Sequence, residues 1–246
     1  MSIFSRLELR TVTGVLILVN ILIFLGLCFF SQSLFTIDTR ALVLFGAKEP
    51  FLLLQGQYWR LVTSMFLHAG WIHLAFNNLA LKAIGRYMES FLGKKRFLLF
   101  YLISGLGSSL CSNYFQVSLG VGASGAIFGM VGVGVVLENA LLYRSKFPHP
   151  VRSLSQYFRI CPFTFLSVIN LAIAVAFNIF VDLLDFHTYM DNAAHLGGLG
   201  TGILLTLIHL HVTRNPLFKK SWARASILTL FLVGINGVFI RSLFVY

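Results

Sequence analysis

Charged side chains are scarce in this sequence. They make up 11% of its 246 residues, whereas soluble domains carry about 25%. Acidic residues are the rarest, with 8 Asp and Glu against 19 Lys and Arg. Hydrophobic residues make up 57% of the chain and form long uncharged runs. This composition excludes an ordinary soluble domain and predicts an all-α polytopic membrane protein, whose partner is the lipid bilayer.

Cysteine is also rare, and its placement argues against a disulfide framework and a metal centre. Cys28, Cys111 and Cys161 are an odd number and lack metal-ligand spacing, so we expect small apolar residues in a helix bundle. The sequence has no HExxH motif, and we expect neither a metal nor a cofactor. The net charge of +11 does not indicate nucleic-acid binding, because the basic residues form short clusters between apolar runs.

The apolar runs predict seven membrane-spanning helices, each of about 20 residues. They cover approximately 11–30, 71–92, 97–114, 123–143, 160–181, 192–212 and 225–244. The segment at about 31–70 mixes apolar and charged pieces instead. It predicts an interfacial subdomain of short amphipathic helices, anchored by Tyr58 and Trp59.

The distribution of charge predicts the orientation of these helices. With the N-terminus in the cytoplasm, most of the 19 Lys and Arg residues fall on the inner side. Asp182, Asp185 and Asp191 then share one outer loop. Basic residues concentrate on the cytoplasmic side of membrane proteins, so we expect a cytoplasmic N-terminus and an outer C-terminus.

Three polar residues lie near the start of three predicted helices that all run inward from the outer face. They are His73 in the second, Ser124 in the fourth and His195 in the sixth. At 1.5 Å per residue, all three lie about 5 Å below the outer end. Polar and ionisable residues within the membrane are costly, so a shared depth indicates a functional site.

These residue types suit acyl-transfer chemistry. The Ser124 hydroxyl attacks an amide if a base such as His195 takes its proton. His73 and Asn77 are i and i+4 on one helix face. Together with the backbone N–H of Ser124, their side chains could stabilise the oxyanion of a tetrahedral intermediate.

Glycines near the serine and the histidine would allow their two helices to approach closely. Gly198 and Gly202 form a GxxxG face, and Gly122, Gly125 and Gly129 surround the serine on the fourth helix. The alternative is that each motif serves only helix packing, because small residues and interhelical hydrogen bonds are common in membrane bundles. The coincidence of depth favours the functional interpretation.

Four motifs together resemble the rhomboid family of intramembrane serine proteases. They are YWR (58–60), HAGWIHLAFN (68–77), GASGAIFG (122–129) and AHLGGLGTG (194–202), in the order of that family. GxSG alone is a weak signal, but its combination with the downstream AHxxG and the upstream HxxxN is highly specific. The resemblance covers most of residues 58–202.

The resemblance implies roles for individual residues. It implies a catalytic dyad of Ser124 and His195 with no acidic third member. It also implies an oxyanion site formed by His73, Asn77 and the Ser124 amide. The aromatic residue that stacks on the catalytic histidine falls at Phe128, where some family members have tyrosine.

Several other polar positions are assigned less specific roles. Arg60 and Glu89 match family positions that look structural. Asp191 precedes the catalytic histidine by four residues; we expect a helix N-cap there, with a triad acid as the alternative. His68 and His187 are expected in interfacial loops.

The resemblance also implies an architecture and an activity. Residues 1–213 would form a six-helix core, and 214–246 a cytoplasmic linker and seventh helix. The implied activity is endopeptidase cleavage of transmembrane protein substrates near the outer membrane face, with bacterial inner membrane as the expected location. Residues 183–190 are a candidate lid, and the fifth helix, with Phe163 and Phe165, a candidate lateral gate by family analogy.

Two alternatives from other classes remain open. A rhomboid-like protein without catalysis would bind membrane helices and not cut them, although such relatives typically lack the serine or the histidine. A transporter would show internally repeated, broken helices, and the sequence has no such repeat.

Overall fold

The computed structural model describes residues 10–33, 35–116, 118–144, 153, 156, 159–169 and 191–213. These residues form helices and loops, with two isolated β-bridges and no strand among them. The helices are α1 (Val12–Ser31), α2 (Thr39–Leu44), α3 (Pro50–Leu54), α4 (Arg60–Thr63), α5 (Trp71–Ala80), α6 (Arg86–Leu92), α7 (Lys94–Phe115), α8 (Ser124–Arg144) and α9 (Asn192–Val212). A 3₁₀ turn (Ser64–Phe66) follows α4, a π-helical turn (Leu81–Gly85) joins α5 to α6, and residues 162–169 are also helical.

The long helices coincide with the predicted apolar runs. Within the described ranges, α1, α9 and Ser124–Leu142 of α8 are long and apolar enough to cross a membrane. The second run, 71–92, is one continuous helical segment made of α5, the π turn and α6. Residues 170–181 of the fifth run and all of the seventh lie outside the described residues.

The segment between α1 and α5 folds into short helices, as predicted. Side-chain oxygens cap the N-termini of two of them: Asp38 accepts from the Arg40 amide, and Glu49 accepts from the Leu52 amide. Pro50 occupies the first position of α3. Apolar residues of this subdomain pack against the second half of α1. They are Ile37, Ala41, Leu42, Ala47 and Leu67, against Phe24, Leu27 and Cys28.

Two buried charged side chains stabilise the subdomain and the contact between α6 and α1. The Arg60 guanidinium donates to the carbonyls of Val43 (2.6 Å) and Ala47 (3.1 Å), which closes the subdomain on itself. Glu89 of α6 accepts from the amides of Val12 and Thr13, both at 2.8 Å, and thereby holds the beginning of α1. Both carry structural contacts, as the resemblance implied.

The centre of the bundle is formed by α7, α8 and α9, which pack on one another more extensively than any other described elements. Small residues permit this. A Cβ on Gly125 would lie 1.8 Å from Ser108 Oγ, and a Cβ on Gly129 would lie 2.1 Å from Ser104 Cβ. The α8 glycines therefore bring α7 against α8. Cys28 and Cys161 are buried, Cys111 is half-buried, and none of the three forms a disulfide.

Candidate active site

The loop before α8 places Ser124 as the first residue of that helix. Gly122 lies in this loop with φ +122°, a conformation that favours glycine. Its N–H donates to the Ser64 carbonyl at 2.9 Å, which fixes the loop on the 3₁₀ turn. A Cβ at Gly122 would lie 2.8 Å from Nε2 of His73, so the glycine also admits the imidazole.

His195 lies in the first turn of α9 and faces the serine. Its Nε2 is 3.1 Å from Ser124 Oγ, within hydrogen-bond distance. The sequence places these residues on separate helices, and the structure brings them together. A serine hydroxyl in contact with an imidazole nitrogen is an arrangement in which the ring can accept the hydroxyl proton.

The contact between α8 and α9 depends on paired glycines. A Cβ on Gly198 would lie 2.0 Å from the Gly125 carbonyl oxygen. A Cβ on Gly202 would lie 1.9 Å from the Gly129 carbonyl oxygen one turn further on. Both distances are far below van der Waals contact, so the helices can be this close only with glycine at these positions.

The His195 ring is held by stacking. Phe128, one turn after the serine, lies parallel to it, with ring centroids 4.4 Å apart and an interplanar angle of 22°. No described residue hydrogen-bonds to the buried Nδ1 of His195. Asp191 is the N-cap of α9, with its Oδ1 accepting from the Ala194 amide at 2.8 Å. The prediction of an N-cap is confirmed, and the carboxylate does not bond to the imidazole.

His73 and Asn77 line the same cavity as the dyad. The cavity has a volume of about 480 Å³, and its lining includes both residues together with Ser124, Phe128 and His195. The Asn77 amide nitrogen donates to the His73 carbonyl at 2.9 Å. An amide nitrogen has two hydrogens, so this bond leaves one of them for a ligand in the cavity.

His68 lies in the loop before α5, as expected, but its side chain is buried and packs against His73. Its side chain is 0% exposed. The ring lies edge-on to His73, with centroids 5.1 Å apart. Burial, with a smaller contribution from His73, lowers the pKa of His68 to about 3, so this ring is neutral at physiological pH.

Sequence reasoning missed three polar side chains of this cavity that are linked by hydrogen bonds. The Lys48 ammonium donates to Ser112 Oγ, and Ser112 Oγ donates to Oδ2 of Asp191. Lys48 is 1% exposed, and its burial lowers the pKa of its ammonium, while the nearby Asp191 charge opposes that shift. The sequence signal was weak, because Lys48 directly follows the apolar stretch Ala41–Ala47 but is itself followed by Glu49.

Other predicted features lie at the edge of the described structure. Phe163 and Phe165 lie in the helical residues 162–169, which begin the fifth run. The candidate lid at 183–190 and His187 lie outside the described residues. In the part of the chain that the structure describes, no group of three or more His, Cys, Asp and Glu side chains could hold a metal ion.

Comparisons with known proteins agree with the motifs. A family model described as the rhomboid domain matches residues 55–212. Rhomboid protease AarA of Providencia stuartii is 34% identical over 216 residues, which cover 81% of this chain and 73% of that protein. Rhomboid protease GluP of Bacillus subtilis is 36% identical over 197 residues, or 80% of this chain and 35% of that protein.

A plant relative matches over a shorter range. The mitochondrial RHOMBOID-like protein 6 of Arabidopsis thaliana is 38% identical over 169 residues, which cover 67% of this chain and 48% of that protein. The chain thus spans most of AarA but less than half of the other two relatives. The matching domain, the extent of these similarities and the apolar helices together show that the chain is an integral membrane protein that belongs to the rhomboid family.

Proposed function

We propose that this protein is an intramembrane serine endopeptidase that cleaves transmembrane segments with a dyad of Ser124 and His195. The observation that carries the proposal is the 3.1 Å contact between Ser124 Oγ and His195 Nε2 at the wall of a cavity of about 480 Å³. Two relatives that are 34% and 36% identical to this chain over the matched residues are named rhomboid proteases, which supports the same activity.

The dyad performs acylation in two steps. Ser124 Oγ attacks the carbonyl carbon of the scissile peptide bond while its proton moves to His195 Nε2. The tetrahedral intermediate then collapses, the C–N bond breaks, and Nε2 returns the proton to the leaving amine. This sequence requires the tautomer with the proton on Nδ1, so that Nε2 is the acceptor.

Deacylation repeats the same roles with water. His195 Nε2 takes a proton from a water molecule that attacks the ester carbonyl of the acyl-enzyme. The proton then passes to Ser124 Oγ as the C–O bond to the enzyme breaks. Water reaches the ester through the cavity, which polar side chains such as Asn77 and Ser112 line in part.

The oxyanion is stabilised by three donors. The amide of Ser124 belongs to the first turn of α8, where N–H groups lack intrahelical acceptors. His73 and Asn77 line the same cavity and supply the other two donors. Donors fixed before the reaction stabilise the developing charge without reorganisation, which is the main source of rate enhancement in such sites.

The proposed membrane arrangement follows the charge distribution. The N-terminus is cytoplasmic, residues 1–213 form a six-helix core, and 214–246 add a linker and a seventh helix. The site end of the bundle, where α8 and α9 begin, faces outward. The exposed Lys82 and Arg86 lie further along the α5–α6 segment, toward the proposed cytoplasmic side, which supports this orientation. The location is the bacterial inner membrane, and the substrates are transmembrane proteins cut near its outer face.

The test is cleavage by purified protein reconstituted in lipid. A panel of single-span substrates with small or helix-weakening residues near the outer end is incubated with wild-type protein and with Ser124→Ala. We expect a single cut, located by mass spectrometry, with the wild type only. Binding of the substrates with no cut by the wild type would favour the alternative, a catalytically silent rhomboid-like protein, and cleavage by Ser124→Ala would exclude the dyad.

A further inference from the structure

Lys48 is a charged residue in a buried position beside the dyad. It lies in the loop between α2 and α3, is 1% exposed and lines the same cavity as Ser124 and His195. Burial of an ammonium group costs several kcal/mol unless hydrogen bonds and an opposite charge compensate. The compensation that the structure provides connects Lys48 to both halves of the dyad.

The backbone of Lys48 is bonded to the loop that carries the serine. Its N–H donates to the Gly120 carbonyl at 3.0 Å, and the Gly120 N–H donates to the Lys48 carbonyl at 2.9 Å. The lysine stem also lies across this glycine, since a Cβ on Gly120 would be 2.9 Å from Lys48 Cε. Gly120 lies four residues before Ser124, so Lys48 holds the segment of the polypeptide that leads to the nucleophile.

The side chain of Lys48 is linked, through Ser112, to the N-cap of the helix that carries the histidine. The ammonium donates to Ser112 Oγ of α7, which donates to Oδ2 of Asp191, and Nζ lies 3.9 Å from that oxygen. Asp191 in turn holds the first turn of α9. Its Oδ1 accepts from the Ala194 amide at 2.8 Å, and its carbonyl accepts from the His195 amide at 3.2 Å.

We propose that Lys48 is a positioning residue that sets the distance between Ser124 and His195. No described residue bonds to His195 Nδ1, so within the described residues no hydrogen bond orients that ring from behind. Its position depends on stacking with Phe128 and on the placement of the first turn of α9. The hydrogen bonds from Lys48 to Ser112 and from Ser112 to Asp191 determine where the first turn of α9 lies relative to the serine loop. This role rests on the proposed protease function.

The test compares four variants with the wild type. Lys48→Met keeps the volume of the stem over Gly120 and removes the charge. Asp191→Asn keeps a good N-cap and removes the carboxylate, and the double variant removes both. Lys95→Met, at an exposed position of α7, is the matched control. The readouts are kcat, KM, the rate at which a fluorophosphonate labels Ser124, and the melting temperature.

We expect Lys48→Met and Asp191→Asn each to lower kcat and the labelling rate on the order of 10- to 100-fold, the cost of a misplacement near 1 Å. KM should stay within about twofold, and Lys95→Met should match the wild type. The kcat and labelling rate of the double variant should be no lower than those of the less active single variant. The reason is that both residues act through one series of hydrogen bonds. The Asp191→Asn arm tests the proposal even if Lys48→Met does not fold.

Three results would overturn the proposal. A raised KM with unchanged kcat would make Lys48 a substrate contact. A lower melting temperature with wild-type labelling of the folded protein would leave only a structural role. Losses that multiply in the double variant would show that Lys48 and Asp191 act separately. Failure of the wild type to cleave or label would instead reject the proposed function, so the two failures are distinguishable.

Discussion

Replacement of Gly198 by alanine should separate the two halves of the dyad. The added Cβ would lie 2.0 Å from the Gly125 carbonyl oxygen. Heavy atoms in contact are about 3.5 Å apart, so α8 and α9 would have to move apart by roughly 1.5 Å. The Ser124–His195 contact is 3.1 Å, at the upper end of the range for proton transfer, and would be lost.

The expected effect has a kinetic and a thermodynamic part. A misplacement of about 1 Å costs around 100-fold in rate, and overpacking of a tight contact costs about 1–3 kcal/mol of stability. Steady-state cleavage of a transmembrane substrate measures the first, and thermal unfolding in detergent measures the second. Gly198→Ala should be impaired in both.

Gly200 of the same helix provides the matched control. A Cβ there would have nothing within 4 Å, so Gly200→Ala should leave kcat unchanged. Its melting temperature should be equal or higher, because alanine is favoured over glycine in a helix by up to about 1 kcal/mol. If Gly198→Ala cleaved and melted like Gly200→Ala, the glycine contact could not be what holds the dyad together.

Two further predictions separate catalytic from structural side chains. His73→Ala should lower kcat and kcat/KM together by up to about 100-fold, and Asn77→Ala should lower them by less, because the remaining oxyanion donors still act. A lower melting temperature with normal kcat would show instead that both residues are structural. Glu89→Gln should weaken the bonds to the Val12 and Thr13 amides and lower the free energy of unfolding by about 1–3 kcal/mol. Its folded fraction should cleave at the wild-type rate, and a selective loss of kcat would contradict a purely structural role.

The lengths of the apolar runs and the spacing of the glycines predicted most of the described fold. The run at 192–212 became α9 with the same bounds, and Asp191 capped it as its position suggested. The GxxxG face at Gly198 and Gly202 met Gly125 and Gly129 as expected. Such features are local or periodic, so they can be read from one sequence.

The remaining features depend on contacts between distant segments. Lys48 looks like one more charge in an exposed loop, and only the folded chain brings it to Ser112 and Asp191. His68 was expected in an interfacial loop, and only the folded chain shows that its side chain is buried against His73. The π-helical turn at Leu81–Gly85 has no local sequence signal that we recognise.

The most direct test of the central claim is covalent labelling of the nucleophile. The wild type and His195→Ala are treated with a fluorophosphonate probe, and the modified residue is located by mass spectrometry of the digested protein. A dyad predicts an adduct on Ser124 in the wild type and a loss of labelling in His195→Ala, with the fold retained as judged by melting. An adduct on another serine, or labelling of Ser124 at the wild-type rate without His195, would contradict it.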